Sequence, residues 1–324
     1  MFLFIIVFIN LFSTAFGKSE QLIGVTVETG ILMFKSLDLG IKKKQAGLTI
    51  ILLFILTGIT TTIAGLNPFL GVLINFASIF VIMYITTEHM EHKAYMTFIL
   101  TYIFALGNLP TQETVLNRVA SLTIGGILVA FVYWIYHRKT KEGEKEPTLG
   151  LKEMFQTIDI GSVRFVFCLK MALGITIGML IGAIFKLPRA MWIGMTVMSL
   201  TQPEHEKTKE RFKYRIIGTI GGIILFIILF DWLIPHKYAM YAVLLMGYVY
   251  SFVEEYHIQM LFITINAMNA AIILFDQTLA IPLRIGFVLL GSVIALILNK
   301  INFQNLCIKI KKKREQKLQE IKET

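Results

Sequence analysis

Arg118 and Arg284 stand in otherwise apolar stretches, and each is followed after six residues by a glycine, Gly125 and Gly291. A planar guanidinium grips a carboxylate with two parallel hydrogen bonds. An ionised side chain deep in a bilayer costs about 2.5–3.5 kcal/mol on insertion scales, so it turns to protein, to water or to the headgroups. Two readings follow: snorkelling to the outer headgroups, or a pair of cations converging on an anion. Other residues extend the second reading. Lys170 lies about 9 Å beyond Arg164 along one helix, at 1.5 Å per residue, with snorkelling to the cytosol as its equal alternative. Gln259, Asn266 and Asn269 share one stripe, with Asn266 and Asn269 the deeper pair. Asparagines so placed either bond to neighbouring helices or line a wet path. Thr196 and Trp192 precede a basic segment, and its Arg211 and Arg215 would raise the local anion concentration. Glu28 is the carboxylate nearest the middle of an apolar run, a candidate for proton coupling if its segment crosses the membrane.

Other chemistries find less support. Glu88-His-Met-Glu-His92 offers metal ligands but not the HExxH spacing, so no metal site is expected. Gly218-Thr-Ile-Gly-Gly222 lacks the Lys-Ser/Thr of a phosphate-binding loop, which removes an ATP motor from this chain. Cys168 and Cys307 build neither a disulfide framework nor a CxxC site. No nucleophile, acid/base pair or metal set converges, so the expectation is a protein that is not an enzyme and takes no cofactor.

The elements that must position these residues are set by composition. Of 324 residues, 56% are hydrophobic and 16% charged, and mean hydropathy is +0.70. A soluble domain carries about 25% charged residues, so the chain reads as an all-α polytopic membrane protein. Its apolar runs predict twelve spans near 2–16, 21–34, 46–65, 69–87, 93–108, 114–136, 162–185, 190–201, 215–234, 238–253, 258–275 and 281–301. The first, second and eighth are short for crossing alone, and the prolines, Pro282 included, are expected in connections or at helix starts. Only Lys18, Lys186, Arg189 and Lys237 fall on one side; the remaining loop and tail cations, among them Lys42 to Lys44, the segment Lys207 to Arg215 and the tail beyond Lys300, fall on the other. The positive-inside rule therefore places both termini in the cytosol of a bacterial-type plasma membrane. The net charge of +10 then belongs to loops facing lipid headgroups, not to nucleic-acid binding. An alternative reading takes residues 1–17 as a secretory signal, against which stands the lack of a positive amino-terminal region. The tail reads equally as a helix on anionic lipid or as a solvated stop-transfer segment.

A shift of 170 residues lays Leu22-Ile-Gly-Val-Thr-Val27 on Trp192-Ile-Gly-Met-Thr-Val197 and Thr49 on Thr219, and a shift of 166 lays Arg118 on Arg284. Two parallel six-helix repeats are expected, residues 1–137 and 161–302, joined by a cytosolic linker over 138–160 and followed by a basic tail over 303–324. An even helix number gives both copies the same orientation about the membrane normal. Gly174, Gly178 and Gly182 on the seventh span form a GxxxGxxxG face suited to close helix packing.

The segment WIGMTVMSLTQPEHEKTKERFKYRIIGTIGG, Trp192 to Gly222, resembles the fusaric acid resistance-like (FUSC-like) and aromatic acid exporter family. That pattern has a Trp and a Thr on one helix, a polar-Pro turn, a basic cytosolic stretch and Arg-x-x-Gly-Thr-x-x-Gly on the next. Here these are Trp192, Thr196, Gln202-Pro203, Thr208, Arg215, Gly218-Thr219 and Gly222, while the first half has Leu22 for Trp192 and Gln45 for Arg215. The resemblance implies efflux of organic anions, aromatic carboxylates above all, with a proton-coupled exporter and a passive channel as the alternatives; the plant aluminium-activated malate channels look like relatives with one six-helix unit per subunit. A membrane scaffold and an intramembrane enzyme are the remaining readings. The partners implied are the bilayer, a small organic anion and, at the level of assembly, further copies of the chain.

Overall fold

The computed structural model describes residues 2–138, 149–235, 238–250, 252–272 and 277–323. The linker cations Lys139, Lys141 and Lys145, and Lys237, lie outside these. The described chain is α-helical, with one isolated bridge between Ile41 and Leu149. The helices are α1 (Phe2–Phe16), α2 (Gln21–Met33), α3 (Lys43–Ala64), α4 (Pro68–Thr86), α5 (Tyr95–Gly107), α6 (Val115–His137), α7 (Leu151–Gln156), α8 (Val163–Ile184), α9 (Met191–Leu200), α10 (His205–Ile227), α11 (Ala239–Tyr250), α12 (Tyr256–Ile272), α13 (Gln277–Lys300) and α14 (Phe303–Glu323).

Among the described residues, every apolar run expected to span falls on a helix, but length separates them. Six helical segments among the described residues are long and apolar enough to cross a membrane: Lys43–Ala64, Pro68–Thr86, Gln112–His137, Val163–Ile184, Glu206–Phe230 and Ala280–Lys300. The helices on the other apolar runs, α1, α2, α5, α9, α11 and α12, are shorter than the roughly 20 residues a hydrocarbon core requires. Local signals fix several helix starts. Asn67 caps α4, its Oδ1 accepting from the Phe69 and Leu70 amides, with Pro68 in the first turn where its missing N–H costs nothing. Ser162 caps α8 by accepting from the Phe165 amide.

Two boundaries differ from the sequence expectation. The basic stretch Lys207 to Arg215 is not a loop: α10 begins at His205 and carries those cations on its first turns. Between Glu204 and Gly218 there is no glycine or proline to stop a helix, and Lys207 pairs with Glu204 and Lys209 with Glu206 at i,i+3 spacing. Pro282 lies inside α13, not at its start, because that helix already begins at Gln277.

The chain forms two compact units, residues 1–198 with 301–324, and residues 199–300. In the first, α3 packs on α4, α5 and α6, α2 on α5 and α6, and α8 on α4. Phe98 is its aromatic centre, touching Phe34 and Phe54 at 5.7 and 5.6 Å between rings. This unit has two chemically distinct ends. One gathers the α1–α2, α3–α4, α5–α6 and α8–α9 connections, with Lys18, Lys186 and Arg189. The other gathers Lys35, Lys42 to Lys44, Lys93, Arg138, Lys152 and Arg164. There Arg164 pairs with Glu88, donates to the Tyr84 carbonyl and lies over the Tyr84 ring, tying α8 to α4. Lys42 reaches Glu153 on α7 at 2.8 Å, and Lys311 on α14 reaches Asp159 at 2.9 Å. In the second unit α10 packs on α12 and α13, and α12 on α11 and α13.

Candidate substrate site

Arg118 is held by its own unit. Its Nε donates to Glu20 Oε2 at 2.8 Å, Nη1 to the Ala105 carbonyl at 2.9 Å and Nη2 to the Asn108 carbonyl at 2.6 Å. Ser121 donates to the same Glu20 oxygen at 2.8 Å, and both charged side chains are fully buried. The guanidinium thus already grips a carboxylate, an internal one, and joins the α5 end, the α2 start and α6. Glu20 sits in a short turn beside Lys18; its role left no periodicity in the sequence to find it by.

Glu28 is also buried in this unit, with Oε1 making no hydrogen bond among the described residues. Lys170 on α8 and Thr196 on α9 are buried; the Thr196 hydroxyl returns to the Trp192 carbonyl at 2.8 Å, and Trp192 itself lies in the core. The small-residue face of α8 receives α9. A Cβ on Gly178 would stand 2.9 Å from Ile193 Cγ2, and one on Gly182 would stand 2.2 Å from Ala190 Cβ.

Where α3 ends, α4 begins and α5 and α8 end, a cavity of about 190 Å³ opens. Its polar lining is Asn75, Thr176 and Arg189, and its walls include Val72, Leu106, Met179 and Leu180. Tyr102 donates to Asn75 Oδ1 at 2.8 Å, committing that oxygen. None of these three polar residues was singled out as a pathway residue from sequence. Asn75 and Thr176 are lone polar residues within apolar spans, a weak signal, and Arg189 reads as an ordinary loop cation.

In the second unit the glycines of the Arg-x-x-Gly-Thr-x-x-Gly segment have a direct physical role. A Cβ on Gly218 would meet the His257 carbonyl oxygen at 2.6 Å, and one on Gly222 the Leu261 carbonyl oxygen at 2.7 Å, so both let α10 lie backbone-close on α12. Between them Thr219 Oγ1 is buried without a hydrogen bond among the described residues, as is Oδ1 of Asn266 on α12. Arg215 and Arg284 are buried on α10 and α13, which pack against each other. Arg211 donates to the Ser199 carbonyl at 3.2 Å and lies over the Tyr256 ring. Asn269 makes a long bond to the Ile265 carbonyl, 3.4 Å, and Gln259 donates to the Val253 carbonyl at 2.9 Å. The residues singled out on α10, α12 and α13 belong to the second unit, whereas Arg118, Lys170, Trp192, Thr196 and Glu28 belong to the first.

A sequence comparison matches one stretch of this helical chain to a family. Residues 171–298 match the fusaric acid resistance protein-like family. The matched stretch runs from α8 through most of α13 and contains the Trp192 to Gly222 segment together with Arg284. No curated protein and no solved structure matches the chain. The matched family supports a membrane transport or resistance protein.

Proposed function

We propose that this chain exports small organic anions, aromatic carboxylates among them, across a bacterial-type plasma membrane. The family matched by residues 171–298 carries the reading, since its description is of resistance to an organic acid. Buried polar groups of the second unit support it. Arg215 and Arg284 place guanidiniums away from water, and the Thr219 hydroxyl, unbonded among the described residues, can donate to a carboxylate. An anion entering a low-dielectric interior needs cations and hydrogen-bonding groups in place of its hydration shell. In the proposed topology two six-helix repeats give twelve crossings, the shorter helices among them, with both termini cytosolic. The charge contrast between the ends of the first unit supports that orientation. Glu28, a buried carboxyl with an unbonded oxygen, is the proposed proton-coupling group. A passive anion channel is the second reading, favoured by the same cations without need of Glu28.

Cells expressing the chain and preloaded with labelled benzoate should retain it for less time than cells expressing R215Q/R284Q. Equal retention at equal membrane abundance would contradict the proposal.

A further inference from the structure

Buried threonines of this protein have a habit. Thr57, Thr61, Thr86, Thr101 and Thr264 each return the hydroxyl to the carbonyl four residues earlier, at 2.7 to 2.9 Å. That back-bond is what a hydroxyl in a dry helix bundle ordinarily finds. Thr176 breaks the pattern: it is 4% exposed, its Oγ1 makes no hydrogen bond among the described residues, and the residue lines the cavity at the α3–α4–α5–α8 junction.

The same cavity is lined by Arg189, which makes no ion pair among the described residues. Burial alone pushes its guanidinium below the usual arginine range, with no carboxylate acting in the opposite direction. Arg189 stands in the left-handed region at φ 60°, directly after Pro188, a conformation that disfavours side chains other than glycine, Asn and Asp. Across the cavity Asn75 has its oxygen committed to Tyr102, which leaves its amide nitrogen as a donor. The remaining wall is apolar, with Val72, Leu106, Met179 and Leu180.

A lining that joins Arg189, Thr176 and Asn75 to an otherwise apolar wall suits a ligand with one anionic end and one hydrophobic body. Size limits that body. The cavity holds about 190 Å³, and a dry apolar cavity of about 150 Å³ is enough to take a benzene ring. We propose that this cavity binds a compact organic carboxylate with a body of about one ring, its carboxylate on Arg189 and Thr176 and its body against Met179 and Leu180. The proposal rests on the export reading for its biological purpose, since a site at this end of the first unit would meet substrate at the extracellular face of the proposed topology.

The test is calorimetric titration of the purified full-length chain in detergent with benzoate, with benzyl alcohol as the uncharged ring and with inorganic phosphate as the anion without a ring. Benzoate should bind at least tenfold more tightly than either. R189Q should weaken benzoate binding at least tenfold, R189K should recover part of the loss, and T176V should weaken it about threefold or more. Phosphate or benzyl alcohol binding as tightly as benzoate would overturn the proposal. So would unchanged benzoate binding in folded R189Q. Should R189Q fail to fold, T176V decides, because Thr176 Oγ1 has no internal bond to lose; unchanged affinity there also overturns it. Efflux is read separately in proteoliposomes. Absent efflux with benzoate binding intact would contradict export and leave the site standing, whereas efflux with no benzoate binding would overturn the site alone.

Discussion

Arg118 and Glu20 form an ion pair at 2.8 Å in which neither side chain is exposed at all. The pair closes one end of the first unit, since Arg118 also takes the last free carbonyls near the end of α5 and Glu20 also accepts from Ser121. Breaking a buried pair by removing one partner strands the other charge, at a cost of about 3–5 kcal/mol. E20Q and R118Q should therefore each lower the unfolding temperature and the membrane yield, measured by thermal unfolding in detergent. The double variant E20L/R118M should recover part of that loss, because no uncompensated charge remains. A loss of flux in R118Q is then interpretable only alongside its stability.

Much of this was legible in the sequence. Apolar runs located the helices, and Trp192 to Gly222 located the family stretch, because such signals are local. What escaped is what depends on packing across the chain. Glu20 gave no hint of its bond to Arg118, ninety-eight residues away. Asn75, Thr176 and Arg189 come from three separate stretches and acquire meaning only where α4, α8 and the α8–α9 connection meet around a cavity. Helix length was likewise misread where charge was taken as loop: Lys207 to Arg215 continue α10, since charged side chains at i,i+3 spacing suit a helix as well as they suit water.

Glycines test the packing directly. A Cβ on Gly71 would lie 2.7 Å from the Ala64 carbonyl oxygen, a backbone atom that cannot move aside, whereas one on Gly47 would meet nothing within 4 Å. G71A should destabilise by about 1–3 kcal/mol through overpacking. G47A should be neutral or stabilise by up to about 1 kcal/mol, from helix propensity. Thermal unfolding of the two variants checks both signs.

The exposed contacts at the basic end respond to pH. The Lys42 ammonium, together with the Gly150 amide, holds the Glu153 carboxyl below its ordinary value of 4.5. A depressed carboxyl stabilises the fold above its unfolded value, and the contribution is lost as pH falls through the folded one. Amide exchange in α7, corrected for intrinsic rate, should therefore be unaffected between pH 7 and 5 and should speed up below about pH 4. E153Q should remove that pH dependence.

Proton coupling singles out Glu28. E28Q should retain folding, because the group removed makes no hydrogen bond through Oε1. Export driven by a pH gradient should fall at least tenfold in E28Q, while counterflow of labelled against unlabelled benzoate without a gradient persists. Gradient-driven export equal to the wild type would exclude Glu28 from coupling and favour the channel reading.

The central claim is that this chain moves organic anions across a bilayer, and reconstitution measures that without cellular background. Purified protein in proteoliposomes loaded with labelled benzoate should release it faster than protein-free vesicles. R215Q/R284Q should slow that release at least tenfold at equal incorporation. Release that matches protein-free vesicles, with and without an imposed pH gradient, would contradict the account.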